Sequence, residues 1–166
     1  MSARIGSLSA GARVRFNMHR FVASGFYVGL IPHRLWGSDK GAGTFGAAVA
    51  VVISILLWRY PWWLGVIAFA VAFVLSLWSA RPFAADHADP GWIVIDEIAG
   101  TLIAVIGLTG WPWLVAVVVA RLADIFKVLP GVGQAESLPG AVGITMDDVV
   151  AGLYGLAAGW VTVLLV

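Results

Sequence analysis

Long apolar runs constrain this chain more than any other feature of its sequence. Five stretches carry little or no charge over most of their length: 44–58, 62–80, 92–108, 113–129 and 146–166. A membrane-spanning helix needs about 20 mostly apolar residues, and these runs lack the apolar and polar alternation of transmembrane barrel strands. The sequence therefore predicts an all-α, polytopic helical membrane bundle with four to five transmembrane helices.

The composition excludes several other classes of protein. Only 11% of the 166 residues are charged and 61% are hydrophobic, whereas soluble domains carry about a quarter charged residues. The ten Lys and Arg nearly balance the nine Asp and Glu, so we expect no nucleic-acid partner. The chain has no cysteine, which removes disulfides, thiolate metal sites and cysteine nucleophiles.

The first 40 residues differ from the rest of the chain. Arg4, Arg13, Arg15 and Arg20 all precede any long apolar run. No uninterrupted apolar segment follows them, so a signal peptide is not expected. We predict a basic cytoplasmic tail at 1–15 and an interfacial amphipathic helix at 16–31, within a single membrane-embedded domain covering 1–166.

The positive-inside rule keeps this arginine-rich start in the cytoplasm. Five spans then place the turns at 59–61 and 109–112 outside and the loops at 81–91 and 130–143 inside. Arg59 is the one basic residue that this arrangement leaves on the outer side. We therefore expect a multi-pass protein of the bacterial cytoplasmic (inner) membrane.

Charged residues of the spans are concentrated at the predicted cytoplasmic ends. The candidates are Asp96 and Glu97 early in the third span, Arg121, Asp124 and Lys127 late in the fourth, Asp147 and Asp148 opening the last, and Gly43, Thr44 and Gly46 opening the first. Ionisable groups within a membrane are costly and are functional candidates by default. The pattern predicts one shallow polar cluster at the depth of lipid phosphates.

Such a cluster suits phosphate ester chemistry. Carboxylates crowded together repel one another unless a cation lies among them, and oxygen ligands favour Mg²⁺ over zinc. Arg121 and Lys127 can bind phosphate oxygens, and a glycine-rich helix start beside Thr44 offers N–H groups to an anion. The residues therefore favour metal-assisted attack of water on a phosphate ester.

Each part of the cluster also has a purely structural interpretation. Asp147 and Asp148 could cap the last helix, and Arg121 and Lys127 could extend their charges to the interface. The glycines at 41, 43 and 46 could form a loose loop. A stripe of Gly152, Gly155 and Gly159 is expected to serve helix packing. The coincidence of all the groups at one side favours the functional interpretation.

Four segments carry a resemblance to the phosphatidylglycerophosphatase A family. They are Gly-Thr-Phe-Gly-Ala at 43–47, Asp-Glu-Ile-Ala-Gly at 96–100, Arg-Leu-Ala-Asp-Ile-Phe-Lys at 121–127 and Gly-Ile-Thr-Met-Asp-Asp-Val-Val-Ala-Gly at 143–152. They occur in the family's order. The sequence departs from the family pattern at Ala42, Ala47 and Val128, where the family has Pro, Ser and Pro.

The resemblance implies a Mg²⁺-dependent membrane phosphatase that converts phosphatidylglycerophosphate to phosphatidylglycerol and inorganic phosphate at the cytoplasmic face. On this interpretation Mg²⁺ is bound by Asp96, Glu97, Asp147 and Asp148. The catalytic set is Asp96, Glu97, Asp124, Lys127 and Asp148, and the substrate contacts are Gly43, Thr44, Gly46, Arg121 and Lys127. Asp124 is either a metal ligand or an orienting partner of Lys127. Either water or an aspartate is the nucleophile.

Two alternatives of another kind remain at this point. A catalytically degenerate family member would bind lipid phosphate without turnover, and a transporter or ion pathway would be lined by the same acids. The motifs of CDP-alcohol phosphotransferases and of histidine-nucleophile lipid phosphatases are absent from the sequence. The expected partners are phosphatidylglycerophosphate and membrane lipid, and the oligomeric state stays open.

Overall fold

A computed structural model describes residues 10–84 and 90–166. Its helices are α1 Ala10–Ala23, α2 Ile31–Trp36, α3 Ala42–Leu57, α4 Trp63–Ala80, α5 Ile95–Ala104, α6 Gly110–Phe126, α7 Val132–Glu136 and α8 Ala141–Leu165, with a 3-10 turn at Val28–Leu30. The described ranges contain no strand, which confirms the all-α prediction. Arg4 of the predicted tail and residues 85–89 of the predicted 81–91 loop lie outside the described residues.

Fewer helices are long enough to span a membrane than the four to five predicted. Among the described residues, α4 and α8 have the length and hydropathy for a crossing, and α3 is a shorter apolar helix of 16 residues. The apolar run at 92–108 is helical only over Ile95–Ala104 because the chain turns at Gly107, which has a φ of 73°. This apolar run is therefore longer than the helix it contains.

Two predicted boundaries are also wrong. The amphipathic helix expected at 16–31 is Ala10–Ala23, and the backbone then turns through Phe26 and Tyr27, both with positive φ. The predicted 130–143 loop contains α7 and the start of α8. Asp147 and Asp148 consequently lie about two turns inside the last helix rather than at its first turn.

Helix α5 lies at the centre of the bundle, where it packs against α3, α4 and α8, and α8 also packs along α6. Nearly every residue of α5 is buried. Glycines allow the closest of these approaches. A Cβ atom at Gly152 of α8 would collide with the carbonyl oxygen of Gly100 in α5, and one at Gly155 would lie 2.5 Å from the carbonyl oxygen of Ala116 in α6.

Trp58, Trp62, Trp113 and Trp160 lie together at one end of the bundle. The ring of Trp113 meets that of Trp58 edge-on at 5.4 Å, and its Nε1 donates a hydrogen bond to Ser54 Oγ at 3.0 Å. Trp62 and Trp160 lie against the turn at Gly107. The turns at 59–61 and 109–112 therefore share one end of the molecule, as the sequence predicts. The starts of α5 and α8 lie at the opposite end.

Candidate active site

Five carboxylates converge where α5, α6 and α8 meet, at the end opposite the tryptophans. They form two groups, Asp96 with Glu97 and Asp148, and Asp124 with Asp147 and Asp148. Within each group, one oxygen of every carboxylate lies within 4.8 Å of the others. Asp96, Asp147 and Asp148 are buried, and Asp124 and Glu97 are half-buried. Asp148 belongs to both groups, so we refer to the five residues together as the acid cluster.

The crossing of α5 and α8 sets the position of Asp148. A Cβ atom at Gly100 would lie 2.5 Å from the carbonyl oxygen of Asp148, so only glycine permits this backbone separation. Asp96 lies one turn before Gly100, and Asp148 lies one turn before Gly152, so both carboxylates lie beside the glycine contact. The close glycine packing of α5 against α8 thus brings together two acids that are 52 positions apart in the sequence.

Arg121 connects the two groups of acids. Its Nη1 lies 2.9 Å from Asp124 Oδ2, one turn along α6, and 3.8 Å from Asp148 Oδ1. The three-residue spacing predicts that Arg121, Asp124 and Lys127 share one side of a helix. The structure confirms this for Arg121 and Asp124, whereas Lys127 lies just beyond the last residue of α6. Asp124 thus forms an ion pair with Arg121, and its role as a metal ligand or as an orienting partner of Lys127 stays a prediction.

Lys127 follows the last residue of α6 and has a left-handed backbone, with a φ of 49°. Its Nζ lies 2.9 Å from Asp147 Oδ2 and 2.7 Å from Glu136 Oε1. Burial acts to lower the pKa of Lys127, but the hydrogen bonds to Glu136 and Asp147 outweigh it, so this pKa lies above its ordinary value. Lys127 is therefore held as a cation at the rim of the acid cluster.

Sequence reasoning missed Glu136 because it occurs in what reads as a Gly/Pro-rich loop. The signal was present, since Glu136 is the one acidic residue between Lys127 and Asp147. In the structure it ends the short helix α7, whose first turn is closed by the Gly131 N–H donating to Gln134 Oε1 at 2.8 Å. The helix brings the carboxylate back to the end of α6.

The glycine-rich segment at the start of α3 reaches the same place. A Cβ atom at Gly43 would collide with Glu97 Oε1 and would lie 3.1 Å from Arg121 Nη2. One at Gly46 would lie 2.8 Å from the carbonyl oxygen of Val94, just before α5. Thr44 is exposed on the first turn of α3. Gly43 and Gly46 are thus close-contact positions of an ordered helix, not part of a loose loop, and Gly41 is the N-cap residue of that helix.

Two of the other structural interpretations disagree with the structure, and the third agrees with it. Gly140, not Asp147 or Asp148, is the N-cap residue of α8, so capping does not explain the acid pair. Arg121 and Lys127 point into ion pairs with the acids, rather than away from them. The small-residue stripe of Gly152, Gly155 and Gly159 serves helix packing, as predicted.

The donor set of the acid cluster fits a hard divalent cation. Every candidate ligand within it is a carboxylate oxygen, and such oxygens prefer Mg²⁺ or Ca²⁺ over softer metals. Five carboxylates face two cationic side chains, so the group carries excess negative charge when all are ionised. A divalent cation would offset most of that charge.

Comparison with known proteins finds relatives whose names are those of lipid phosphatases. The model of the phosphatidylglycerophosphatase A family matches residues 21–163. Proteins named phosphatidylglycerophosphatase A from Haemophilus influenzae and Escherichia coli are 32% and 30% identical, covering 84% and 82% of this chain and 85% and 78% of theirs. A Bacteroides thetaiotaomicron protein, provisionally named a phosphatidylinositol-3-phosphatase, is 34% identical over 75% of this chain and 87% of its own. No solved structure matches the chain.

Proposed function

The chain belongs to the phosphatidylglycerophosphatase A family of phosphoric monoester hydrolases, and we propose that its substrate is phosphatidylglycerophosphate. Water would supply one oxygen to the departing phosphate, the bond between phosphorus and the glycerol oxygen would break, and a proton would pass to that oxygen. The products are phosphatidylglycerol and inorganic phosphate. The whole chain, 1–166, would form this single phosphatase domain.

The observation that supports this proposal best is that two groups of acids share Asp148 next to Arg121 and Lys127. A phosphate monoester is itself anionic and would be repelled by an acid cluster that lacked a metal. Mg²⁺ commonly joins protein carboxylates to substrate phosphates, and arginine binds phosphate oxygens in a forked geometry. Both kinds of group are present within one site here.

We assign Mg²⁺ binding to Asp96, Glu97 and Asp148, which form one group of acids, and to Asp147, which joins Asp148 in the other group. When bound, the ion would polarise the phosphoryl group and make a water molecule more acidic. Asp147 already accepts a hydrogen bond from Lys127 at 2.9 Å, so this lysine would stay next to the ion and attract a phosphate oxygen.

Asp124 holds the guanidinium of Arg121 in place through the 2.9 Å contact between Asp124 Oδ2 and Arg121 Nη1. Arg121 would then donate to the phosphate oxygens that the metal leaves free. Gly43 contributes close backbone approach beside Glu97 and Arg121, and Thr44 and Gly46 complete the substrate-facing start of α3. The nucleophile, water or an aspartate, is a separate question that the proposal does not depend on.

We further propose that the bundle crosses the bacterial cytoplasmic membrane several times with the acid cluster facing the cytoplasm. The apolar α4 and α8, and the shorter apolar α3, support this placement. Trp58, Trp62, Trp113 and Trp160 at the other end suit the opposite headgroup layer, since tryptophan is enriched at both interfaces of a membrane. A phosphate at headgroup depth would then reach the cluster while the acyl chains stay among the helices.

The experiment is phosphate release by the detergent-purified chain, with Mg²⁺ or with a chelator, from two substrates. Phosphatidylglycerophosphate and phosphatidylinositol 3-phosphate are compared because both substrate classes occur among the relatives' names. Mg²⁺-dependent release from the first, in preference to the second, is expected. A preference for the phosphoinositide would contradict the proposed substrate. Release that is unchanged by chelator would contradict the proposed dependence on Mg²⁺.

Orientation is tested separately on this naturally cysteine-free chain. Single cysteines replace exposed Ser137, near the acid cluster, and exposed Thr109, at the tryptophan end. In intact cells an impermeant maleimide should label the Thr109→Cys protein and spare the Ser137→Cys protein until the membrane is opened. The reverse labelling would contradict a cytoplasmic site.

A further inference from the structure

The outward face of α1 is apolar and bordered by arginines, and we propose that, with the aromatic turn after it, this face binds anionic phospholipid. The surface, called the α1 surface below, consists of Val14, Met18, Phe21, Phe26 and Tyr27, bordered by Arg13, Arg15 and Arg20. It is separate from the acid cluster and takes no part in the proposed hydrolysis. The inference rests on the membrane placement proposed above and not on the proposed hydrolysis.

The inner face of α1 is already occupied by the bundle. Phe16 meets Phe83 edge-on at 5.1 Å, and the His19 ring stacks on Trp78 at 4.1 Å. Ala23 is fully buried. The helix therefore does not need a second apolar face to dock against α4.

A second apolar face is nevertheless present on the opposite side. Val14, Met18 and Phe21 follow one another at spacings of four and three residues, so they form one stripe. They are 60%, 54% and 37% exposed. An apolar stripe on the outside of a helix that is already packed on its inside is typical of a surface that contacts lipid.

The turn after α1 extends this stripe. The rings of Phe26 and Tyr27 lie 5.1 and 5.0 Å from Phe21, and both residues are exposed. Both have left-handed backbones, with φ of 60° and 70°, a conformation that bulky residues other than glycine rarely adopt. Ser24 holds the turn, since its Oγ donates to the Phe21 carbonyl and accepts from the Tyr27 N–H. The fold thus tolerates strain to keep two aromatic rings outward.

Charge indicates which occupant fits. Arg13 and Arg20 border the stripe on one side and Arg15 on the other, by their helical positions, and all three are exposed. The guanidinium of Arg20 also lies over the Trp92 ring at 5.8 Å. No acidic residue precedes Asp39 in the sequence. A second copy packed symmetrically here would bring these arginines together, whereas an anionic headgroup layer would neutralise them.

The α1 surface also lies beside the start of α5. Cβ atoms placed on Gly25 or Gly29 of the turn would contact the Val94 side chain, and the Val94 N–H donates to the Ala23 carbonyl at 2.9 Å. Val94 is two residues before Asp96. The surface is therefore at the same end of the bundle as the acid cluster, where lipid headgroups would be met.

The test uses full-length protein in bilayers and measures lipid contact, not hydrolysis. Spin-labelled phosphatidylserine and phosphatidylcholine are added in turn, and the motionally restricted fraction gives the preference for anionic lipid. Phosphatidylserine is chosen because it is neither substrate nor product of the proposed reaction. Each arginine near an anionic surface supplies about fivefold, so we expect the preference to be at least this large.

The variant Arg13→Gln/Arg15→Gln removes two of the three bordering arginines, leaves the Arg20 contact with Trp92 intact, and should lower the preference by at least about fivefold. Arg59→Gln, at the other end of the bundle, is the matched control and should leave the preference unchanged. An undiminished preference in the double variant, or an equal loss in the control, would overturn the proposal. Circular dichroism checks that each variant keeps its helices.

A second measurement needs no change of charge. A nitroxide attached at Met18→Cys should be relaxed by oxygen, which partitions into lipid, and little by a water-soluble nickel chelate. A nitroxide at Ser137→Cys should show the opposite. Strong relaxation of the Met18 label by nickel would indicate water at the stripe, and protection from both reagents would indicate a protein partner; either result contradicts the proposal.

Discussion

Replacing Gly100 by alanine should disable the acid cluster without touching a carboxylate. The added Cβ would lie 2.5 Å from the carbonyl oxygen of Asp148 and 2.8 Å from its Cβ. Both contacts involve backbone or near-backbone atoms, so a rotamer change cannot relieve them. To move from 2.5 Å to an ordinary contact of 3.4 Å, α5 and α8 must separate by about 0.9 Å.

That displacement is large for a site in which carboxylate oxygens lie within 4.8 Å of one another. A misplacement of about 1 Å can cost roughly a hundredfold in rate, and overpacking a core costs roughly 1–3 kcal/mol of stability. We therefore expect Gly100→Ala to fold, to lose about 10²-fold in kcat/KM for phosphate release, and to bind Mg²⁺ more weakly.

The matched control is Gly65→Ala in α4, where the new Cβ would lie 3.8 Å from the nearest side-chain atom, Ile106 Cγ1. Phosphate release and Mn²⁺ binding, with Mn²⁺ as a paramagnetic substitute for Mg²⁺, are measured on both variants, and circular dichroism checks folding. Should Gly100→Ala keep rate and metal affinity within about threefold of Gly65→Ala, the argument that glycine packing positions the acids would be refuted.

Three further outcomes follow from named contacts. Lys127→Met should lower kcat/KM by more than tenfold because it removes the cation beside Asp147; a smaller loss would remove Lys127 from the catalytic set. Glu136→Gln should change the rate by less than about threefold, since Asp147 still accepts from the lysine, and a loss as large as that of Lys127→Met would contradict this. Trp113→Phe removes the hydrogen bond to Ser54 at the end of the bundle opposite the acid cluster. It should lower the free energy of unfolding by about 1 kcal/mol and leave activity unchanged. A large loss of activity in this variant would show that the two ends of the bundle are not independent.

The sequence predicted the helical class and named all five residues of the acid cluster for simple physical reasons. Charged residues inside long apolar runs must be accounted for, and helical spacing already placed Arg121 and Asp124 on one face. The same reasoning could not find the contact between Lys127 and Glu136, because it depends on how the chain turns after α6. Glu136 has no helical register with Lys127 that a sequence pattern could reveal.

The predicted helix boundaries are wrong where the end of an apolar run does not coincide with the end of the helical backbone. The run at 92–108 is apolar throughout, yet its helix stops at Ala104 because the chain turns through Gly107. Asp147 and Asp148 looked like the start of a helix because Gly140 and Gly143 precede them. In the structure Gly143 lies within α8, where a Cβ would collide with the carbonyl oxygen of Leu138. Apolar content thus located the elements but not their ends.

The central claim, that Asp148 joins both acid groups into one Mg²⁺-dependent phosphatase site, is tested most directly by the Asp148→Asn protein. Its Mg²⁺-dependent phosphate release from phosphatidylglycerophosphate is compared with that of Asp39→Asn, whose carboxylate pairs with His33 outside the acid cluster. We predict a loss of at least about 10²-fold for Asp148→Asn, with weakened Mn²⁺ binding, and near wild-type behaviour for the control. Folded Asp148→Asn protein with undiminished turnover and metal affinity would contradict the account.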